Sequence, residues 1–221
     1  MQTVNVRRGF YDVWDLFEMI QTETPNQAWI AGGYAAYMGS AAPCPPVPGD
    51  IDIFPRNQES WGKLFDALMK HNEEYLRESR RAVTFTVDDR QVQLIHPFEA
   101  TESPEKLVED FDFTVCRAVL VNENCVLVDD EFEADTQNMK LRFKNIKNPM
   151  GALVRLTKYA RKGYDASPAE LAKILQCFNY GPPRARQNLL RDFGEMDDAQ
   201  WDIIRDEEEF IGDDDWDDYG Y

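Results

Sequence analysis

Residues 28–36, Ala-Trp-Ile-Ala-Gly-Gly-Tyr-Ala-Ala, place a short apolar run, a diglycine and the start of a small-residue stretch within nine positions. Four apolar residues ended by glycine read as a buried strand, and two glycines admit backbone conformations closed to residues with a Cβ. The stretch that follows, YAAYMGSAA, reads as a helix. A strand that turns at once into a helix lays that helix on a sheet, which points to a layered α+β chain. After the loop PCPPVPG (43–49), whose four prolines neither continue a helix nor join a central strand, DIDIF (50–54) alternates acid and apolar residues with the period of a half-buried strand.

The remaining pattern fills in the layers. Phe10, Val13, Trp14, Phe17 and Ile20 predict a helix near 10–21, and Trp61, Leu64, Phe65, Leu68 and Met69 mark the apolar stripe of a helix over 58–78. AVTFTV (82–87), the turn Asp88-Asp89 and RQVQLI (90–95) predict a hairpin. Ser103 and Pro104 open a short helix over 103–110. Two strands are expected at 111–121 and 125–128, then a short acidic helix. From about residue 149 only helices are predicted, at 149–163, 168–179 and near 183–193. The expected fold class is therefore α+β, an α/β-type mixed sheet with flanking helices followed by a small helical region. The expected division is 1–145 for the sheet, 146–205 for a basic helical region and 206–221 for an acidic tail.

Composition narrows the chemistry. The chain has 221 residues, 43% of them hydrophobic and 29% charged, which excludes collagen-like and wholly disordered classes. No apolar run approaches the ~20 residues of a membrane-spanning helix, and MQTVNVRRGFYDVWDLF lacks the apolar core of a signal peptide, so an intracellular, cytoplasmic protein is expected. Cys44, Cys116, Cys125 and Cys177 form no C-x-x-C, and the two histidines, His71 and His96, lie far apart in sequence. Any bound metal is therefore expected on carboxylates. The net charge of −17 hides a basic centre: residues 139–191 hold 12 Lys/Arg against 2 Asp/Glu. Such a block suits a polyanion, triphosphate or RNA, and would also serve to neutralise the acidic remainder of the chain.

The informative constellation is Gly32-Gly33 with Asp50 and Asp52. Glycines between a strand and a helix let backbone N–H groups approach an anion, and the helix start adds partial positive charge. On a strand of period two, Asp50 and Asp52 point to one face and Ile51 and Ile53 to the other. Two such carboxylates repel unless a cation joins them, and Mg²⁺ (or Mn²⁺) takes oxygen ligands while sharing its shell with phosphates.

This strand-Gly-Gly-helix followed by D-x-D on the next strand resembles the nucleotidyltransferase fold of the DNA polymerase beta superfamily, in the form found in tRNA nucleotidyltransferases and poly(A) polymerases. The resemblance implies that Gly32 and Gly33 hold a nucleoside triphosphate tail, that Asp50 and Asp52 bind the metals, and that a nucleoside monophosphate passes to a hydroxyl acceptor, an RNA or tRNA end being favoured. It also implies a third carboxylate on a later strand. One position for it carries Gln93; the other candidate is Asp112, expected on a strand face with Thr114 and Cys116. An inactive nucleotide-binding module, or a toxin or defence-type enzyme acting on tRNA or protein, would use the same residues.

Arg155, Lys158 and Lys162 are spaced three and four apart and form a cationic ridge on the predicted helix, with Tyr159 beside it and Leu153, Leu156 and Ala160 facing inward. The resemblance implies that this helix touches the incoming nucleotide. Residues 206–221 carry nine acids, no base and four aromatic residues, which suits a mobile tail that binds a basic groove on a partner, folds over the chain's own basic helices, or is merely solvated.

Overall fold

The computed structural model describes residues 1–7, 13–42, 45, 47–71, 75–79, 81–97, 102–146 and 149–180. Phe10, the helix expected near 183–193 and the acidic tail lie outside them. The chain divides into two compact units, Met1–Lys140 and Leu141–Tyr221.

In chain order the first unit runs β1 (Gln2–Asn5), α1 (Trp14–Glu23), β2 (Ala28–Ala31), α2 (Gly33–Gly39), β3 (Asp50–Pro55), α3 (Gln58–His71), β4 (Arg77–Glu78), β5 (Ala82–Val87), β6 (Arg90–Ile95), α4 (Pro104–Asp110), β7 (Ala118–Asn122), β8 (Cys125–Val128) and α5 (Phe132–Gln137). The eight strands form one mixed sheet in the order β1-β8-β7-β2-β3-β6-β5-β4. Among the described residues of this sheet only β3 and β6 run parallel, and its other neighbouring strands pair antiparallel. Asp88 and Asp89 both take positive φ, 49° and 62°, as the two-residue turn joining β5 to β6 demands.

The period of two sorts the side chains. Ile30, Ile51, Ile53, Val83, Phe85, Val92 and Leu94 are buried and belong to one core with Leu16, Phe17 and Ile20 of α1, Tyr34, Ala35 and Met38 of α2, and Leu64 and Leu68 of α3. A smaller cluster joins Trp29, Ala31, Val119 and Leu127 with Leu107 and Val108 of α4. Asp50 and Asp52 alternate with the isoleucines of β3 and are only half-buried. A strand buried through Ile51 and Ile53 thus displays two acids on its opposite face.

The structure departs from the expected elements of this unit in three places. Strand β1 was not anticipated, because Gln-Thr-Val-Asn carries a single buried residue, Val4. The helix expected over 58–78 ends at His71, and Leu76 instead donates its N–H to Thr84 O (2.8 Å) on the way into edge strand β4. Tyr75 and Leu76 would have continued the helical stripe, so spacing alone could not reveal the break; pairing with β5 decides it. The strand expected over 111–121 begins only at Ala118, after a single 3₁₀ turn at Thr114–Cys116. Here polar side chains find partners off the ladder: Thr114 Oγ1 donates to Asp135 Oδ2 at 2.6 Å, with both groups buried.

The second unit contains α6 (Pro149–Arg161) and α7 (Pro168–Tyr180), which pack on each other. Gly163, at φ 90°, ends α6: its N–H reaches Ala160 O (2.9 Å) and that of Tyr164 reaches Tyr159 O (3.1 Å). These two bonds are a Schellman closure, and they leave Lys162 at the C-cap, just past the helix. The inward face of α6 also differs from expectation. Ala152 and Val154 are buried, Leu153 and Leu156 partly so, and Ala160 is exposed.

Candidate active site

The site begins with the turn out of β2. Gly32 has φ 71° and ψ −137°, a conformation open to glycine, and it caps α2 by accepting from Ala36 N (3.0 Å) while donating to Ala118 O (2.9 Å). A Cβ there would stand 3.3 Å from Phe111 Cε1 and 3.6 Å from Asp52 Oδ2. A Cβ at Gly33 would meet nothing within 4 Å. One glycine is therefore enclosed and the other faces open space.

Strand register brings the acids to this turn. Ala31 pairs with Asp52 across β2 and β3, so the chain enters the diglycine immediately beside the acidic end of β3. Asp50 and Asp52 share one face about 6.6 Å apart along the strand. On the other flank the parallel register sets Asp52 opposite Gln93 and Asp50 opposite Gln91. Gln93 Nε2 donates to Asp50 Oδ2 at 3.4 Å, and across β5 its partner is the buried Thr84.

Asp112 is placed differently from expectation. It is buried, but it lies at a bend and not on a strand, so it shares no strand face with Thr114 and Cys116. Among the described residues no three His, Cys, Asp or Glu side chains gather into a group able to hold a metal ion, so Asp50, Asp52 and Asp112 do not form a three-acid cluster. What this bend contributes is its neighbour. The Phe111 ring lies over Gly32 and meets Phe54 of β3 edge-on at 5.6 Å between centroids.

Arg117 fixes that bend. Its buried guanidinium donates Nε to Phe111 O (2.8 Å), one terminal nitrogen to Glu109 O and the other to Asp129 Oδ2 (2.8 Å). The sequence carried a signal for this clamp, a single Arg inside the apolar run Val-Cys-Arg-Ala-Val, since a buried cation requires a partner. Neither Phe111 nor Arg117 was anticipated as part of the site's support.

In the second unit, Arg155 is half-buried and its guanidinium folds back within 3.1 Å of where a Gly151 Cβ would sit. Lys158 is exposed, and Lys162 Nζ stands 5.6 Å from the centre of the Tyr159 ring, which in turn meets Tyr164 edge-on at 5.5 Å. Tyr159 and Lys162 are thus adjacent.

The donors around the diglycine suit a hard divalent cation: two half-buried carboxylates on one face, an adjacent side-chain amide, and open space beside Gly33 for anionic ligands. Among the described residues no helix is long and apolar enough to cross a membrane.

Solved structures share this fold. The chain is similar to a Thermotoga maritima CCA-adding enzyme complexed with tRNA (TM-score 0.57, 13% identity, covering 93% of this chain and 56% of that one). It is also similar to a CCA-adding enzyme in complex with CTP (0.56, 15%, 93% and 56%). A third is a tRNA nucleotidyltransferase complexed with a primer tRNA and an incoming ATP analog (0.53, 14%, 85% and 59%). The fold is nucleotidyltransferase-like, and the chain spans a little over half the length of these proteins. No curated protein sequence matches it. The Gabija anti-defense 2 family, Gad2, matches residues 8–138, which cover the diglycine turn, both β3 acids, Gln93 and the Arg117 clamp, and the chain belongs to that family.

Proposed function

We propose that this protein is a divalent-cation-dependent nucleotidyltransferase that works against a defence system, the Gabija system of its family's name. The observation that carries this is the placement of Asp50 and Asp52 on one face of β3, with Asp52 Oδ2 beside the Gly32 turn. Asp50 and Asp52 would hold Mg²⁺ or Mn²⁺, and Gly32 and Gly33 would present backbone to the triphosphate. When bound, the ion supplies neutralisation of the charge that develops on the phosphate oxygens. The chain's own part is to position and to exclude. Phe111 and Phe54 wall the turn, Gly33 leaves room for the phosphates, and the carboxylates set where the triphosphate can lie. An acceptor hydroxyl attacks the α-phosphorus in line, the bond to the β,γ-pyrophosphate breaks, and the hydroxyl proton leaves to solvent or base. The product is an acceptor–nucleoside monophosphate ester plus pyrophosphate.

We assign residues 1–145 to this catalytic part and 146–205 to a basic region. In that region Arg155, Lys158, Tyr159 and Lys162 contact nucleotide or nucleic acid, in a cytoplasmic setting. The 12-to-2 excess of basic residues over 139–191 supports an RNA acceptor such as a tRNA end. The family match supports a second acceptor class, a hydroxyl on a protein of the defence system.

The test incubates the protein with α-labelled nucleoside triphosphates, Mg²⁺ or Mn²⁺, and either total RNA or purified Gabija proteins. Label should enter one acceptor class. Asp50→Asn with Asp52→Asn should abolish transfer while the melting temperature stays unchanged or rises, because a like-charge pair is removed. Triphosphate binding without transfer to either class would refute the enzymatic proposal and leave a nucleotide-binding module.

A further inference from the structure

We infer that the site holds a single divalent cation, and that Gln93 is the positioning residue that makes it so by standing where a third acid would recruit a second ion; this rests on the proposed function. Three observations carry it. Gln93 is the direct register partner of Asp52 on the only parallel neighbour of β3, so its side chain leaves the same face about 4.8 Å away. Its amide Nε2 donates to Asp50 Oδ2 at 3.4 Å, so it is engaged with the acid pair. No three acids gather among the described residues, Asp112 included.

The electrostatics follow from the donor count. Asp50 and Asp52 bring two negative charges, which one divalent ion balances. A carboxylate at position 93 would bring a third within one strand spacing, and that excess is what draws a second cation into a shared carboxylate site. An amide of the same length brings none. Its N–H offers partial positive charge to Asp50 Oδ2 and orients that carboxylate, the part that outer groups play around metal ligands. Thr84, the register partner of Gln93 on β5, is buried.

The experiment counts Mn²⁺ directly. Free Mn²⁺ is measured by electron paramagnetic resonance in titrations of the full chain, and binding to the Asp50→Asn/Asp52→Asn double variant is subtracted to remove weak surface sites. The wild type should bind one Mn²⁺ above that background and Gln93→Glu two. Gln93→Ala should keep one site with affinity weaker by roughly tenfold, the loss typical of removing an orienting group. In chelator, Gln93→Glu should melt below wild type, and adding Mn²⁺ should raise its melting temperature by more than that of wild type. Two ions in wild type, or one in Gln93→Glu, would overturn the inference while leaving the metal site standing. Wild type indistinguishable from the double variant would overturn both.

Discussion

The diglycine separates a structural role from a binding role, because its two members meet different surroundings. Gly32→Ala forces a Cβ onto a residue at φ 71°, ψ −137°, and sets it 3.3 Å from the Phe111 ring. Backbone strain of this kind costs about 1–3 kcal/mol, and the ring must shift by a few tenths of an ångström. Lower entropy of the unfolded alanine chain returns about 0.4–1 kcal/mol. The expected net loss is about 1–2 kcal/mol, or a melting temperature lower by about 2–8 °C at 2–4 °C per kcal/mol for a chain of this size. Gly33→Ala meets nothing within 4 Å and lies at the first residue of α2. Alanine is the better helix former, so stability should hold or rise by up to about 1 kcal/mol. The same methyl occupies the space proposed for the triphosphate, so nucleotide affinity should fall. Urea unfolding gives the first quantity for both variants, and calorimetric titration with a non-hydrolysable triphosphate gives the second. A Gly33→Ala protein that is stable and binds nucleotide as tightly as wild type would refute the assignment of this turn to phosphate.

Two further outcomes test the support around the site. Arg117→Met leaves Asp129 buried without its guanidinium partner and frees the carbonyls of Phe111 and Glu109, so unfolding free energy should drop by about 3–5 kcal/mol in urea, with Asp129→Asn added to the same chain recovering part of it. Ser103 caps α4 by accepting from Lys106 N at 3.3 Å, so Ser103→Ala should cost about 1 kcal/mol. The Ser103 hydroxyl, then the Glu105 backbone N–H, hold the Glu105 carboxyl below its ordinary value. A depressed carboxyl favours the fold above its unfolded pKa and loses that contribution as pH falls through the folded one. An NMR titration should show the Glu105 midpoint moving up in Ser103→Ala, and no movement would remove Ser103 as the cause.

What the sequence discloses about the site depends on how local the physics is. The diglycine turn and the Asp50/Asp52 face are legible because each is decided within five residues: by the absence of a Cβ in one case and by the strand period in the other. The hairpin at Asp88-Asp89 is legible for the same reason. Asp112 was misplaced because Phe-Asp-Phe-Thr-Val-Cys reads locally as strand, whereas Thr114 is drawn to Asp135, 21 residues on, and Arg117 to Asp129, 12 residues on. Such bonds are set by tertiary neighbours and leave no periodic trace, although the isolated Arg117 advertised that a partner must exist.

Gln93 shows how a local reading can name a residue and still miss its part. By sequence it marks an acid that is missing; in the sheet it is the residue across from Asp52 that donates to Asp50. An apolar side chain there would take from Asp50 Oδ2 the amide that donates to it, while both half-buried carboxylates stayed on one face of β3. An amide keeps the pair oriented at lower charge. Two aspartates beside a hydrogen-bonding neutral partner therefore fit the single-ion site proposed above, and the Mn²⁺ count of Gln93→Glu is the measurement that separates it from a two-ion site.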